Sequence, residues 1–361
     1  MAQIERLDVS VYTIPTDLPE SDGTLIWDST TIVVVEAHAA GRLGLGYTYT
    51  DRSAGTLIDR VLSPQIIGKD AFDIPRMWAA MVRTVRNLTR PGIASMAISA
   101  VDAALWDLKA RLLELPLASL LGQERKTVPV YGSGGFTSYS IDQLQTQLRR
   151  WIDMGFSMVK MKVGREPARD FERVSAARHA IGNEPALFVD ANGGYMPKQA
   201  VKMAETFGDL DVSWFEEPVS SDDLSGLRLV RKRCPSPMQV AAGEYGFDSY
   251  YFRRMLGSGA VDVLQIDGTR CGGITGFIKA AQLADAFQIP VSAHTAPAFH
   301  LAICCSVPRL LHLEYFYDHV RIESLLFEGI PDPVKGALEP DLSRPGNGLE
   351  VKRKDISRFA A

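Results

Sequence analysis

Seven ionisable residues recur along the second half of the chain at intervals of 20 to 28 residues: Lys162, Asp190, Glu216, Glu244, Asp267, His294 and Glu314. Each stands at the end of a short apolar run. The runs are FSMVKMKV (156–163), ALFVDAN (186–192), VSWFEEP (212–218), MQVAAGE (238–244), VDVLQID (261–267), IPVSAH (289–294) and LLHLEY (310–315). Asp190, Glu216 and Glu244 fall on three consecutive runs, and three carboxylates crowded at one place repel unless a hard divalent cation neutralises them. A donor set without Cys or His favours Mg²⁺ over zinc. Lys160 and Lys162 are two apart, so on a strand they share one face, while Val159, Met161 and Val163 share the other. Two clustered ammonium groups depress each other's pKa, which suits a general base. Asp267 and His294 end neighbouring runs, and an Asp accepting from one imidazole nitrogen fixes the tautomer and raises the His pKa. That pair is a second acid/base group facing the lysines. Asn192 follows just beyond Asp190. Glu314 is read either as a ligand-binding acid or as a plug. Glu217 points away along its strand and is expected in a structural ion pair. Taken singly, each of these residues would be an ordinary surface group; their common phase makes them a site.

That phase implies the elements that carry it. With VPVYGSG (128–134), the runs make eight candidate strands, each separated from the next by room for one helix. IDQLQTQLRRWIDMG (141–155), FERVSAARHAIG (171–182), AVKMAETFG (200–208) and GFIKAAQLADAFQ (276–288) read as such helices. Eight βα units specify a closed parallel (β/α)8 TIM-type barrel, whose active site lies at the C-terminal ends of its strands. Residues 1–125 have a different texture, that of an α+β capping domain. Ile4 to Ile14, TIVVVEA (31–37) and GLGYTYT (44–50) suggest an antiparallel meander. The Pro/Asp/Gly/Ser-rich segment 16–28 between the first two reads as a binding loop. One helix is expected from Ala94 to Leu121, ending near Gly122. The barrel is assigned to 126–330, and the Pro/Gly-rich remainder, 331–361, is expected to pack back on the cap.

Composition excludes other classes. The chain has 361 residues, 46% hydrophobic, with 39 Lys+Arg against 43 Asp+Glu and a formal net charge of −4. This is a globular composition with no basic field for nucleic acid or membrane. No apolar run approaches the ~20 residues of a membrane span. Glu5 and Asp8 interrupt the place where a signal peptide would be apolar. Cys234, Cys271, Cys304 and Cys305 fit neither a zinc site nor a disulfide framework, so a reducing, cytoplasmic compartment is expected. His300 and His312 are expected to be structural, and His38, His179 and His319 to lie at the surface.

The motifs VKMKVG, VDAN, WFEEP, AAGE, DGTRCGG (267–273) and SAH, in this order, resemble those of the enolase superfamily, and within it the mandelate racemase group. The likeness spans the chain. It implies a modified, enolase-like barrel in which Lys162 is a base on one face of the substrate and Lys160 supports it and reaches the substrate carboxylate. It implies that Asp190, Glu216 and Glu244 hold Mg²⁺, that Asp267–His294 is the dyad on the other face, and that Glu314 hydrogen-bonds the carboxylate. Asn192 is expected to contact substrate as well. Gly193 stands where many relatives carry a polar substrate contact. The implied chemistry, known for this superfamily, removes the proton α to a carboxylate through an enediolate. Racemisation, dehydration and cycloisomerisation of a lactone or anhydro sugar acid are all open to it. The acidic, hydroxyl-bearing 16–28 segment, with Trp27, Tyr47 and Tyr49 nearby, favours dehydration of an acid sugar (aldonate or aldarate) to a 2-keto-3-deoxy acid. The segment has no cation for a second carboxylate, although Arg52, Arg86 or Arg90 are candidates to reach it. The expected partners are a small carboxylate substrate and, as a homo-oligomer, copies of the chain. The rival classes are a Schiff-base aldolase using Lys162, which leaves the three acids unexplained, and a non-catalytic sugar-acid binding barrel.

Overall fold

The computed structural model describes residues 2–354 and 356–361. Strands β1 (Arg6–Ser21), β2 (Ile26–Ala39) and β3 (Arg42–Tyr49) form an antiparallel sheet in the order β1-β2-β3. The helix Ile93–Leu112 covers one face of this sheet. The close approach is made possible by small residues on both sides. A Cβ on Gly44 would lie 2.3 Å from both Ala104 O and Leu108 N, so this strand lies directly on the helix backbone. Val33, Val35 and Ala37 of β2 pack with Ile98, Val101 and Leu105 in the core of the cap.

Two expectations for the cap are corrected. The 16–28 segment is not an open loop. β1 and β2 extend through it as a hairpin, with Glu20 opposite Trp27 and Ser21 opposite Ile26, after a register shift between Pro15 and Glu20. The shift takes up the irregularity that Pro15 and Pro19 impose, and pairing then resumes. The long helix also stops early, at Leu112, and a separate short helix covers Leu117–Leu121. Pro116 cannot continue a helix, and Glu114 before it adopts a positive φ of 55°.

Eight parallel strands follow: β4 (Val128–Gly134), β5 (Met158–Lys162), β6 (Ala186–Asp190), β7 (Val212–Glu216), β8 (Gln239–Ala242), β9 (Val263–Ile266), β10 (Val291–Ala293) and β11 (Leu310–Phe316). Each pairs with the next, and β11 pairs with β4, closing the barrel. All eight match the strands read from the sequence. The helices Ile141–Asp153, Pro167–Ile181, Pro197–Gly208 and Gly273–Ala286 lie where four helices were expected. Val159, Met161 and Val163 join the main apolar core, while the opposite face of β5 turns inward. Below the rim the barrel is filled by Tyr131, Phe188, Trp214, Ala241 and Val263, with the Phe188 and Trp214 rings stacked at 5.3 Å. This aromatic floor leaves only the C-terminal end open for a ligand.

The end of the chain ties barrel and cap together. Ala337 and Leu338 pair antiparallel with the start of β4. Arg353 reaches Glu36 of β2, and Ala360 bridges to Tyr12 at the free edge of β1. Asn347 N–H and Leu45 N–H both donate to the buried Asp107 carboxylate.

Candidate active site

Strand register builds the rim. Lys162 lies beside Asp190, and Asp190 beside Glu216, so β5, β6 and β7 deliver them in one row. Asp190, Glu216 and Glu244 are buried, and one oxygen from each lies within 4.8 Å of the others. Three buried carboxylates this close, with no Cys or His among them, fit a hard divalent cation. Lys160 is completely buried. Its Nζ donates to Glu216 Oε1 at 2.7 Å and lies 2.8 Å from Glu314 Oε1 and 5.3 Å from the Tyr131 ring centroid. Lys162, one step higher, places Nζ 2.5 Å from Asp190 Oδ2. Glu314 also accepts from Ser133 Oγ and from Thr295 N–H.

Across the mouth, His294 Nδ1 lies 2.8 Å from Asp267 Oδ2, while its Nε2 faces Glu244 at 3.3 Å and Glu314 at 3.7 Å. Thr269 donates twice to Asp267 Oδ1, so the carboxylate is fixed before it holds the ring. Burial alone would lower the His294 pKa. The Glu244 charge and the Asp267 and Glu244 contacts outweigh it and raise the imidazole to about 10. These contacts favour the imidazolium form of His294. His300 braces the same turn, accepting from Gly268 N–H, and His312 lies in the aromatic floor with Nδ1 against Ser292 Oγ. Both are structural, as expected.

Three expectations need correction. The paired lysines are not held below the ordinary value, although the Lys160 charge does push Lys162 down. Burial does push both down, but Glu216, Glu314 and Asp190 around Lys160, and Asp190 beside Lys162, raise both ammonium groups above the ordinary value. Glu217 makes no ion pair among the described residues. β7 ends at Glu216 and Glu217 turns with a φ of 35°, so strand alternation no longer governs its side chain. It is buried beside Glu244, Asp190 and Glu216, with Oε1 lacking a hydrogen-bond partner, and burial together with those acids pushes its carboxyl up. His319 is not at the surface. It stacks on Tyr49 at 3.5 Å and lines the cavity, and burial pulls its pKa down to about 3.

The cavity above the rim has a volume of about 360 Å³. Lys162, Asn192, Glu244, His294 and Glu314 line it from the barrel, and Asp22, Trp27, Thr31 and Tyr49 from the cap. Asn192, at a φ of 44°, donates its N–H to Asp190 Oδ1 and leaves its Oδ1 unpartnered. The hairpin lid is fastened to the barrel by Ser21 Oγ with Thr137 Oγ1 (2.6 Å), Thr137 Oγ1 to Asp22 O, and Thr24 Oγ1 to Asn192 O. At its tip, a Cβ on Gly23 would fall 2.0 Å from Ala191 O. Sequence reasoning gave no role to Arg270, although it lies inside the DGTRCGG run. Its guanidinium touches both Glu244 and Asp267, and it lies 5.2 Å from the Tyr245 ring. A cation two to four residues after a strand-ending acid was the available signal.

A two-domain enzyme with an α+β cap over an enolase-like barrel is the class this fold and site define. The chain belongs to the mandelate racemase/muconate lactonizing enzyme family of the enolase superfamily: residues 12–122 match its N-terminal domain and 143–356 the enolase C-terminal domain-like model. It is 34% identical to the 3,6-anhydro-α-L-galactonate cycloisomerase of Streptomyces coelicolor over 99% of both chains. Among solved structures, a mandelate racemase/muconate lactonizing enzyme-like protein from Rubrobacter xylanophilus is 55% identical, with a TM-score of 0.98 over 99% of this chain and 100% of the other. The L-talarate dehydratase of Polaromonas sp. JS666, complexed with Mg and L-glucarate, is 30% identical, with a TM-score of 0.91 over 100% and 98%.

Proposed function

We propose that this protein removes the proton α to the carboxylate of an acid sugar and expels the oxygen on the β carbon, giving a 2-keto-3-deoxy acid. The observation that carries the reading is the buried Asp190–Glu216–Glu244 cluster, set between Lys162 on β5 and the Asp267–His294 dyad. Those three acids would hold Mg²⁺, which, when bound, neutralises their charge and stabilises the enediolate dianion. With Asp190 and Glu216 neutralised in this way, burial and then the Lys160 charge push Lys162 down, and both favour the neutral amine a base requires. Lys162 Nζ takes the α-proton. Glu314 and Asn192, which line the cavity, bind the substrate, and the buried Lys160 positions Glu314. As the β C–O bond breaks, its electron pair leaves with the oxygen, and His294 Nε2 supplies the proton that oxygen needs. The resulting enol takes a proton at the β carbon, gives up its hydroxyl proton, and becomes the keto acid. Asp267 holds His294 Nδ1 throughout, so Nε2 is the nitrogen presented to substrate.

If the departing oxygen is a hydroxyl, the reaction is dehydration. If it is a ring ether, the same step opens the ring and the reaction is a cycloisomerisation. The similarity to a 3,6-anhydro-galactonate cycloisomerase over the full chain favours keeping the second outcome beside the first. No helix among the described residues is long and apolar enough to cross a membrane. The four free cysteines support a reducing, cytoplasmic setting. The exposed Leu25, Ile26 and Met196 support burial in a homo-oligomer.

Incubation of the Mg²⁺-loaded protein with acid sugars in D₂O tests the reading. Exchange of the α-proton and formation of a 2-keto-3-deoxy product are expected. Both should fall at least about a hundredfold in Lys162→Ala, whereas His294→Ala should lose product formation to that extent and keep the exchange. Exchange that survives Lys162→Ala, or product formation that survives His294→Ala, overturns the two-group scheme, and trapping of a keto acid on Lys162 by borohydride would point to the aldolase class instead.

A further inference from the structure

The cavity has two unlike ends. Its cations, Lys162, Arg270 and His294, all lie at the barrel end, and each is held by acids: Lys162 by Asp190, Arg270 by Glu244 and Asp267, His294 by Asp267. The cap end carries Ser29, Thr30, Thr31, Tyr49, Asp22 and Asp51. Asp51 receives hydrogen bonds from Ser53, which hold its carboxyl below the ordinary value, so it is charged at neutral pH. His319, the only titratable nitrogen on that side among the described residues, is kept neutral by its burial. None of the arginines that could have met a second carboxylate lines the cavity. Arg52 and Arg86 are exposed, Arg90 stacks on Trp78, and Arg321 near the lid is held by Asp17 and Asp318.

A carboxylate at the cap end would therefore meet hydroxyls and a like charge, with no cation to receive it. Bidentate or charge-assisted contacts are what make such a group bind. Hydroxyls, by contrast, find both donors and acceptors there. We propose that the acid sugar taken by this site carries a single carboxylate, bound at the metal end, and an uncharged hydroxylated tail under the cap. That selects an aldonate or an anhydro-aldonate over an aldarate. The assignment rests on the β-elimination reading and narrows it.

Matched pairs test it with the Mg²⁺-loaded protein: gluconate against glucarate, galactonate against galactarate, and 3,6-anhydrogalactonate alone. Exchange and turnover are both followed. At least one monoacid should exceed every diacid by roughly thirtyfold or more in kcat/KM, the size of one lost charge-assisted contact. The Asp51→Asn variant should narrow that ratio by about threefold, as expected when one solvent-screened repulsion is removed. A diacid that turns over as well as the best monoacid overturns the assignment while leaving the β-elimination reading in place. If the ratio is unmoved in Asp51→Asn, the charge-based assignment is overturned as well. If no acid sugar of either kind exchanges its α-proton, the parent reading falls and this one with it.

Discussion

The rim of the barrel and the cap above it enclose one cavity by different means. The rim is built from charge. Lys160, Asp190, Glu216 and Glu314 are each no more than 1% exposed, and they are tied into a single network. The tip of the lid is fastened by neutral hydrogen bonds of hydroxyls, at Ser21, Thr137, Ser138 and Thr24, and the charged contacts of Asp17 with Arg321 and Tyr317 lie further back, at its more exposed base. Buried charges tolerate little change, because removing one partner strands the other in a poor solvent. Hydroxyl contacts are individually weak and interchangeable. The difference separates the duties of the two regions: the barrel fixes the reaction, and the cap is free to select among substrates.

The largest effect expected from this contrast lies at the bottom of the rim. Lys160→Met leaves Glu216 and Glu314 facing each other without their shared cation, and should destabilise the metal-free protein by about 3–5 kcal/mol. Denaturant midpoints with and without Mg²⁺ measure this, and the ion should restore part of the loss. A loss under about 1 kcal/mol would mean the rim is no more rigid than the lid.

The next effect comes from Glu20, an ionisable group buried inside the lid. Glu20 accepts from Trp27 Nε1, and its other oxygen has no partner. Burial, then the Asp318 charge, raises its carboxyl from 4.5 to about 8. Folding therefore takes up a proton between those values. The contribution of Glu20 is most favourable below pH about 4.5 and is lost as the pH rises towards 8. Glu20→Gln removes that dependence. It should match the parent near pH 4 and exceed it by about 2–3 kcal/mol at pH 7. Melting curves across this range check it, and a constant difference would show that Glu20 takes up no proton on folding.

The smallest effect is at the lid's hydroxyl fastening. Thr137→Val should cost about 1 kcal/mol and raise KM a few-fold, with kcat little changed. A fall in kcat without a change in KM would mean that the lid takes part in the chemistry itself.

The barrel was legible because each of its strands must be short, apolar and closed by a residue that does chemistry. Lys162, Asp190 and Glu216 were found by phase alone, and the register sets them side by side. The lid was less legible. Pro15, Pro19 and Gly23 read as a loop, and its pairing depends on contacts with Thr137, more than a hundred residues away. The stop at Leu112 was hidden because Leu117 continues the apolar spacing beyond Pro116. Glu217 and His319 were misplaced for a related reason. One follows a turn with positive φ that ends strand alternation, and the other becomes buried only when Tyr49 of the cap stacks on it. The lysine pKa values went the wrong way because the two ammonium groups were counted and the acids on neighbouring strands were not.

The edge of β1 carries one more consequence. Tyr12 is bridged by Ala360, and Asp107 in the cap gathers an N–H from Asn347. A ribosome makes the cap first, yet the cap's outer strand and one of its buried carboxylates must wait for residues synthesised some 240 to 350 positions later. During that interval the nascent cap presents an unpaired strand edge, the kind of template that invites pairing with another chain. Cap and barrel are thus consecutive in the gene, yet a cap expressed without the last stretch would lack both the bridge at Tyr12 and the Asn347 donor to Asp107.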